Sequence, residues 1–469
     1  MRMTLNGGQT WTNYVRNFPE GNYPKWYPVS NTYNQTGFNN SFLWSGKQFS
    51  AALTFDKFST NRLWHTNGWG VLYTDDSDKA TTNWKLEMKN LEELVVTTTR
   101  KIPDGPLITG VWDKGAFVHN DVNIVPDKYV AFTPWLSNFN SVDFSNKANN
   151  NVVMVGSNQM DVSGDANNIT GQIAFSNDKG KTWAELNKPT GNPWAGQIAI
   201  SSSNPQNMVW GARLDLPWDY KMGMFYTKDK GQTWSVSNGI PADQFINPLG
   251  YLSSKSLVAD SQNPNRFYMF DCSSGTSWNR VFYRSDDGGA NFSKVYNTWE
   301  NSKLPCEYDM RLKTRPDVEN ELWLTCMGCD YNYTIRRSRD GGNTIENLDL
   351  GFSNVKEIAF GKNSPDKNYP SLFVLGTGNN ELGLYRSDDS LSPTNGSVLA
   401  GNWVKISGNR NLETALSIEG DMQKYTQVYV DTSGRGIMQA NKANINVNIL
   451  PASNPQFPTR PLYNRFTPC

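Results

Sequence analysis

Residues 111–121 read VWDKGAFVHND, which sets two carboxylates, Asp113 and Asp121, and one imidazole, His119, among the aromatics Trp112 and Phe117. A carboxylic acid against an aromatic floor and away from water has the raised pKa that a general acid needs. The same string also reads as a strand, a polar turn capped by Asp113 and a second strand. Asp121 is the competing acid candidate. His119 is one of two His in the chain and has no triad partner, so it is expected in a supporting role.

A second set of carboxylates recurs in a fixed frame, Ser/Thr-x-Asp-x-Gly-x-Thr-Trp. It appears as SNDKGKTW (176–183), TKDKGQTW (227–234), SDDGGANF (285–292) and SRDGGNTI (338–345), with Asp178, Asp229, Asp287 and Asp340 at the third position. Degenerate copies are TLNGGQTW (4–11) and a copy broken by an insertion at 386–403. The Asp is suited to accept turn N–H groups, the Gly to take a left-handed conformation, and the last aromatic to tuck beneath the turn. Recurrence on hairpin after hairpin makes these Asp structural pins instead of calcium ligands or catalysts.

Stacking on sugar rings needs flat aromatics outside those frames. Trp135, Trp194, Trp218, Tyr220 and Trp278 fall between the repeats and are the binding candidates, beside Trp112, Phe117 and His119, whereas Trp183 and Trp234 are explained by the box itself.

The elements that must hold these residues follow from composition and period. Lys plus Arg and Asp plus Glu both total 44, so no charge imbalance draws the chain to nucleic acid or an anionic membrane, and a neutral partner such as a sugar fits. Aromatics at 13% with charged residues at 19% give an all-β, loop-rich, secreted composition. No window of about 18 apolar residues exists, and MRMTLNGGQTW lacks the apolar core of a signal peptide. Sequons at Asn34, Asn39, Asn168, Asn291, Asn332 and Asn395 suit an extracellular glycoprotein. Of five Cys, Cys272, Cys306, Cys326 and Cys329 suffice for two disulfides and leave Cys469 over. The Cys326-x-x-Cys329 pair has no second pair to complete a zinc site, so no metal and no cofactor is expected.

Between the boxes lies another repeat, a strand, a turn with Asn or Pro and a second apolar strand. It occurs at 141–156, 197–211, 256–270, 309–325, 355–376 and 415–430. Four strands in roughly 50 residues is the mark of a propeller blade. The period predicts an all-β chain with a seven-bladed β-propeller over 95–445. Residues 1–94 hold one box and one copy of the second repeat, SAALTFDKFSTNRLWHTNG (50–68), as about two blades of a partial first propeller, and 446–469 form a Pro-rich tail.

Four segments, 90–122, the boxes, 368–389 and 420–437, resemble family 74 of the glycoside hydrolases, xyloglucan-cleaving endo-glucanases of two facing propellers. The resemblance implies inverting hydrolysis of a xyloglucan-like β-glucan, with Asp113 as general acid before the run Gly115, Phe117, His119 and Asp121. It places the general base in the first propeller, so this chain is expected to lack it. The alternative is a non-catalytic extracellular glycoprotein that binds glycan or assembles into filaments through unpaired propeller edges and the tail. A sialidase would need an organised Arg set, which the sequence does not show.

Overall fold

The computed structural model describes residues 2–4, 6–13, 15–17, 50–67, 70–79, 81–86, 95–112, 115–124, 126, 129–130, 136–158, 171–191, 193–214, 222–240, 255–272, 280–296, 310–326, 335–389, 403–410, 412–434, 436–440 and 445–447. Every regular element among them is a β-strand. The sheets are antiparallel meanders, each built as the repeats require: the second repeat gives two long strands, and the box joins the third strand to a short fourth. Thus Trp194–Ile200, Met208–Arg213, Met222–Thr227 and Ser235–Val236 form one sheet in that order, as do Leu257–Ala259, Phe267–Cys272, Arg280–Ser285 and Ser293–Tyr296. Met310–Thr314 opens the next sheet, Phe352–Gly361 the one after, and Ala415–Gly420 the last. At the start, Val96–Lys101, Leu107–Val111 and Gly115–His119 pair in sequence, and Gly115 joins them to Leu136–Phe144 by a parallel pairing with Asn138.

These sheets follow one another around a ring. Ile198 and Ile200 on a first strand are buried with Val153 and Val155 of the sheet before, and an apolar layer fills the next interface too, there with Leu257, Phe267 and Met269 against Val209 and Met224. Each such side chain contributes about 1.5–3 kcal/mol when fully buried. The last sheet returns to the first. Val95 bridges Ser433, Thr99 Oγ1 donates to Asp431, and Arg100 Nη1 lies 3.3 Å from Glu419 Oε1.

The boxes lock the outer hairpins. Ser176 Oγ donates to Asp178 Oδ1 at 2.7 Å, and Gly180 N donates to Ser176 Oγ at 2.7 Å. Thr182 N reaches Asp178 Oδ1 at 2.9 Å, and Trp183 Nε1 reaches Gly180 O at 2.9 Å. The box glycine also seats each hairpin on the sheet before it. A Cβ at Gly180 would lie 2.8 Å from Ile108 Cδ1, one at Gly289 2.2 Å from Val209 Cγ2, and one at Gly342 2.3 Å from Phe282 Cε1.

The second repeat carries a pin of its own, which the motif reading did not find. An Asp ends the first strand and caps the turn, and an aromatic eight residues on donates to it. Tyr268 OH reaches Asp260 Oδ2 at 2.9 Å, Tyr429 OH reaches Asp421 Oδ2 at 3.3 Å, and Trp64 Nε1 reaches Asp56 Oδ2 at 2.8 Å. The last belongs to the amino-terminal sheet, ordered Val15–Asn17, Thr81–Leu86, Gly70–Thr74, Leu63–Asn67, Ser50–Phe55.

Candidate functional site

The hairpin of Leu107–Val111 and Gly115–His119 fixes where its residues can act. Val111 pairs with Gly115 and His119 with Leu107, so Val111 and Gly115 lie at one end of the sheet and His119 at the other. Turn 102–106 marks that second end, and the box residue Lys179 reaches it through Nζ, 3.0 Å from Pro103 O. The boxes therefore lie at the end opposite Val111 and Gly115.

Asp113, the expected acid, lies outside the described residues. Its neighbour Trp112 is half-buried and donates its N–H to Val95 O at 2.9 Å, which ties the strand end to the ring seam. Gly115 has φ of 87° and starts the next strand directly beside the buried Asn138. Trp194 opens its strand, half-buried and opposite Arg213. Its strand runs, like its neighbours, toward the turn-and-box end, so Trp194 stands at the same end as Trp112.

Three expectations are corrected by this geometry. Phe117 is 3% exposed, closed to a sugar ring. His119 sits roughly 13 Å along the strand from Gly115 at about 3.3 Å per residue. Its ring nitrogen Nε2 is 3.0 Å from Thr109 Oγ1, and burial pushes the imidazole down to about 4. Asp121 lies beyond His119 and caps a turn, accepting Asn123 N and Nδ2 at 2.9 Å each. Those bonds, the backbone one first, hold its carboxyl below the usual range, the opposite of what a general acid needs. The string 111–121 is thus spread along two strands instead of gathered into one cluster.

Asp178, Asp229, Asp287 and Asp340 have their carboxylates consumed by their own turns. The side-chain bond from Thr233 and then its backbone N–H bring Asp229 down to about 2. Asn291 is part of a box: its Nδ2 donates to Asp287 Oδ2 at 2.6 Å. Asn34, Asn39, Asn168, Asn332, Asn395, Trp135, Trp218, Tyr220 and Trp278 lie outside the described residues.

A charged centre was not anticipated. A cavity of about 170 Å³ runs between the first strands, lined among others by Arg100, Asp143, Lys255, Lys313 and Glu419. Behind it Glu357 is fully buried, with Arg311 Nη1 at 2.6 Å, Lys313 Nζ at 3.1 Å and Lys255 Nζ at 3.8 Å. Burial pushes the Glu357 carboxyl up, but the two lysines and the arginine outweigh it and hold it well below the ordinary range. Arg100 spans Asp143 at 3.0 Å and Glu419 at 3.3 Å. These charges are paired across sheets, and they are structural before they are chemical.

Ring and boxes define the molecule as an Asp-box β-propeller, and solved structures of family 74 of the glycoside hydrolases share this fold. The GH74 xyloglucanase of Xanthomonas campestris superposes with a TM-score of 0.63 at 22% identity, covering 94% of this chain and 55% of that one. The GH74 enzyme of Niastella koreensis gives 0.61 at 21%, over 93% and 54%. Among relatives, a xyloglucanase of Paenibacillus sp is 29% identical over 400 residues, 83% of this chain and 34% of its own length. A xyloglucanase of Acetivibrio thermocellus is 26% identical over 428 residues, 87% and 42% of the two chains. Xyloglucanase homologues and family 74 structures thus cover most of this chain, which spans between a third and a half of those relatives' length. No family model matches. Among the described residues no helix is long and apolar enough to cross a membrane.

Proposed function

We propose that this chain is the acid-bearing propeller of an extracellular, xyloglucan-active protein of the family 74 type. Similarity to a xyloglucanase over 83% of the chain carries this reading. In it, residues 95–445 form a seven-bladed propeller, 1–94 belong to a partial first propeller and 446–469 are a tail. Asp113, next in the chain after Trp112, protonates the leaving glycosidic oxygen. Trp112 and Trp194 at the same end offer rings to the glucan backbone. Inversion needs a second carboxylate about 6.5–9.5 Å away to activate water, and in this reading the first propeller supplies it.

The test is release of reducing ends from xyloglucan, with binding measured in parallel, for the protein and for Asp113→Asn. Turnover that disappears in Asp113→Asn while binding persists supports the acid role. Binding without turnover in the unaltered protein leaves a glycan-recognition propeller. Absence of both overturns the proposal.

A further inference from the structure

Where the first strands of the sheets converge, the cavity of about 170 Å³ has room for several atoms of a ligand, since a single water needs only about 10–15 Å³. Its box end is bridged from within. Asn146, in the turn after Leu136–Phe144, reaches with Nδ2 to Ser261 O and to Pro316 O, both at 3.3 Å, in the turns of two other sheets.

The wall of this cavity carries more cation than its carboxylates consume. Glu357 stands behind it with Oε2 taken by Arg311 Nη1 at 2.6 Å and by the N–H of Ile418 at 2.9 Å. Oε1 is left to Lys313 Nζ at 3.1 Å and Lys255 Nζ at 3.8 Å. Lys313 also donates to Ile418 O at 2.9 Å and lies 3.7 Å from Glu419 Oε2. Lys255 has no such second partner among the described residues. Its one carboxylate contact is longer than a hydrogen bond, and Asp431, the other carboxylate acting on it, is engaged by Thr99 Oγ1 and Ser417 Oγ.

The Lys255 side chain is 24% exposed and lines the cavity, so the cavity is where its ammonium can meet an acceptor. Burial lowers this ammonium below its ordinary range, Glu357 opposes that, and Lys313 and Arg311 reinforce it. Two further donors on the same wall, Arg100 Nε and Ser202 Oγ, are buried without an acceptor among the described residues, and Asn140 Oδ1 is an acceptor in the same position. Such groups are costly to leave unpaired.

We propose that this cavity binds one small oxyanion, of sulfate or short-carboxylate size, with Lys255 and Lys313 as its cationic contacts. Both ammonium groups approach the same oxygen of Glu357, which makes them neighbours that a single ligand can touch. Arg311, Lys313 and Lys255 bring three positive charges to that one carboxylate, while Asp143 and Glu419 are both spanned by Arg100. A cation entering here would meet Lys255 unshielded, and a neutral sugar would leave its charge unanswered. Oxyanion binding requires neither Asp113 nor a glucan.

Isothermal titration calorimetry of the full chain with sodium sulfate, and separately with sodium acetate, at an ionic strength held constant with chloride, tests this. One saturable event per chain is expected, and the tighter of the two anions tells a sulfate-like ligand from a carboxylate. Lys255→Met keeps the length of the side chain and leaves Glu357 with Arg311 and Lys313. It should weaken binding by about tenfold or more, whereas Lys255→Arg should retain it. Thermal unfolding separates site binding from a general salt effect. Binding raises the midpoint saturably in the parent and not in Lys255→Met, whereas exclusion of sulfate from the surface raises both alike without saturation. No saturable event with either anion in the unaltered protein, or equal affinity in Lys255→Met, overturns the proposal.

Discussion

At pH 7 Asp431 and His119 both carry shifts that the unfolded chain does not share, and their signs oppose. Burial raises the Asp431 carboxyl to about 6, partly offset by Lys255 and by bonds from Ser417 and Thr99. An unfolded Asp titrates near 3.9, so Asp431 adds stability below that pH and loses it as pH rises through 6, about 3 kcal/mol in all. His119, lowered to about 4, behaves the other way. Its contribution, again about 3 kcal/mol at most, is complete above an unfolded value near 6.5 and is lost as pH falls through 4. In the unaltered protein the two slopes largely cancel between pH 4 and 6. Urea unfolding at pH 4, 5, 6 and 7 should expose them separately: Asp431→Asn should lose stability on acidification, and His119→Phe should gain it. Identical profiles for both variants and the parent would contradict the assignment.

The hairpin is the scale at which the sequence was most readable. A box writes its whole geometry into eight consecutive residues, so the positions of Asp178 or Gly231 follow from local chemistry alone. The second pin, Asp260 to Tyr268, is as local but uses an aromatic whose identity varies to Trp64 in another copy, and it hides within an ordinary strand pattern. What could not be read was the reach of the hairpin 107–119: its length separates His119 from Val111, although they are eight residues apart in the string. Two glycines with nearly the same backbone make the seating measurable. Gly289→Ala, at φ 88° and with its Cβ 2.2 Å from Val209, should destabilise by roughly 2–4 kcal/mol from strain plus overpacking. Gly8→Ala, at φ 92° in open space, should cost only the backbone strain, about 1 kcal/mol. Equal losses in thermal unfolding would show that the box glycine serves the turn alone.

Across the whole molecule, the ring depends on partners that no local pattern announces. Arg311, Lys313 and Glu357 read in sequence as the polar half of alternating strands, yet Glu357 is fully buried because its cations arrive from outside its own sheet, Arg311 and Lys313 from the strand Met310–Thr314. Glu357→Gln should destabilise by about 3–5 kcal/mol, since it removes the buried charge that Arg311, Lys313 and Lys255 share, and the double change with Arg311→Met should cost less than the sum. Chemical denaturation of both variants checks this, and strict additivity would mean the groups do not interact. The seam has a kinetic side as well. Thr99 and Asp431 meet across 332 positions of chain, and Val95 with Ser433 and Arg100 with Glu419 join the same two sheets, whereas the strand pairings within the described sheets are far more local. Sheets can assemble one after another at modest entropic cost, but closing the circle must await nearly the last of them. The seam is therefore the late event in folding and the first place to part under load, so substitutions at Thr99 or Asp431 should speed unfolding while leaving the early folding phase untouched.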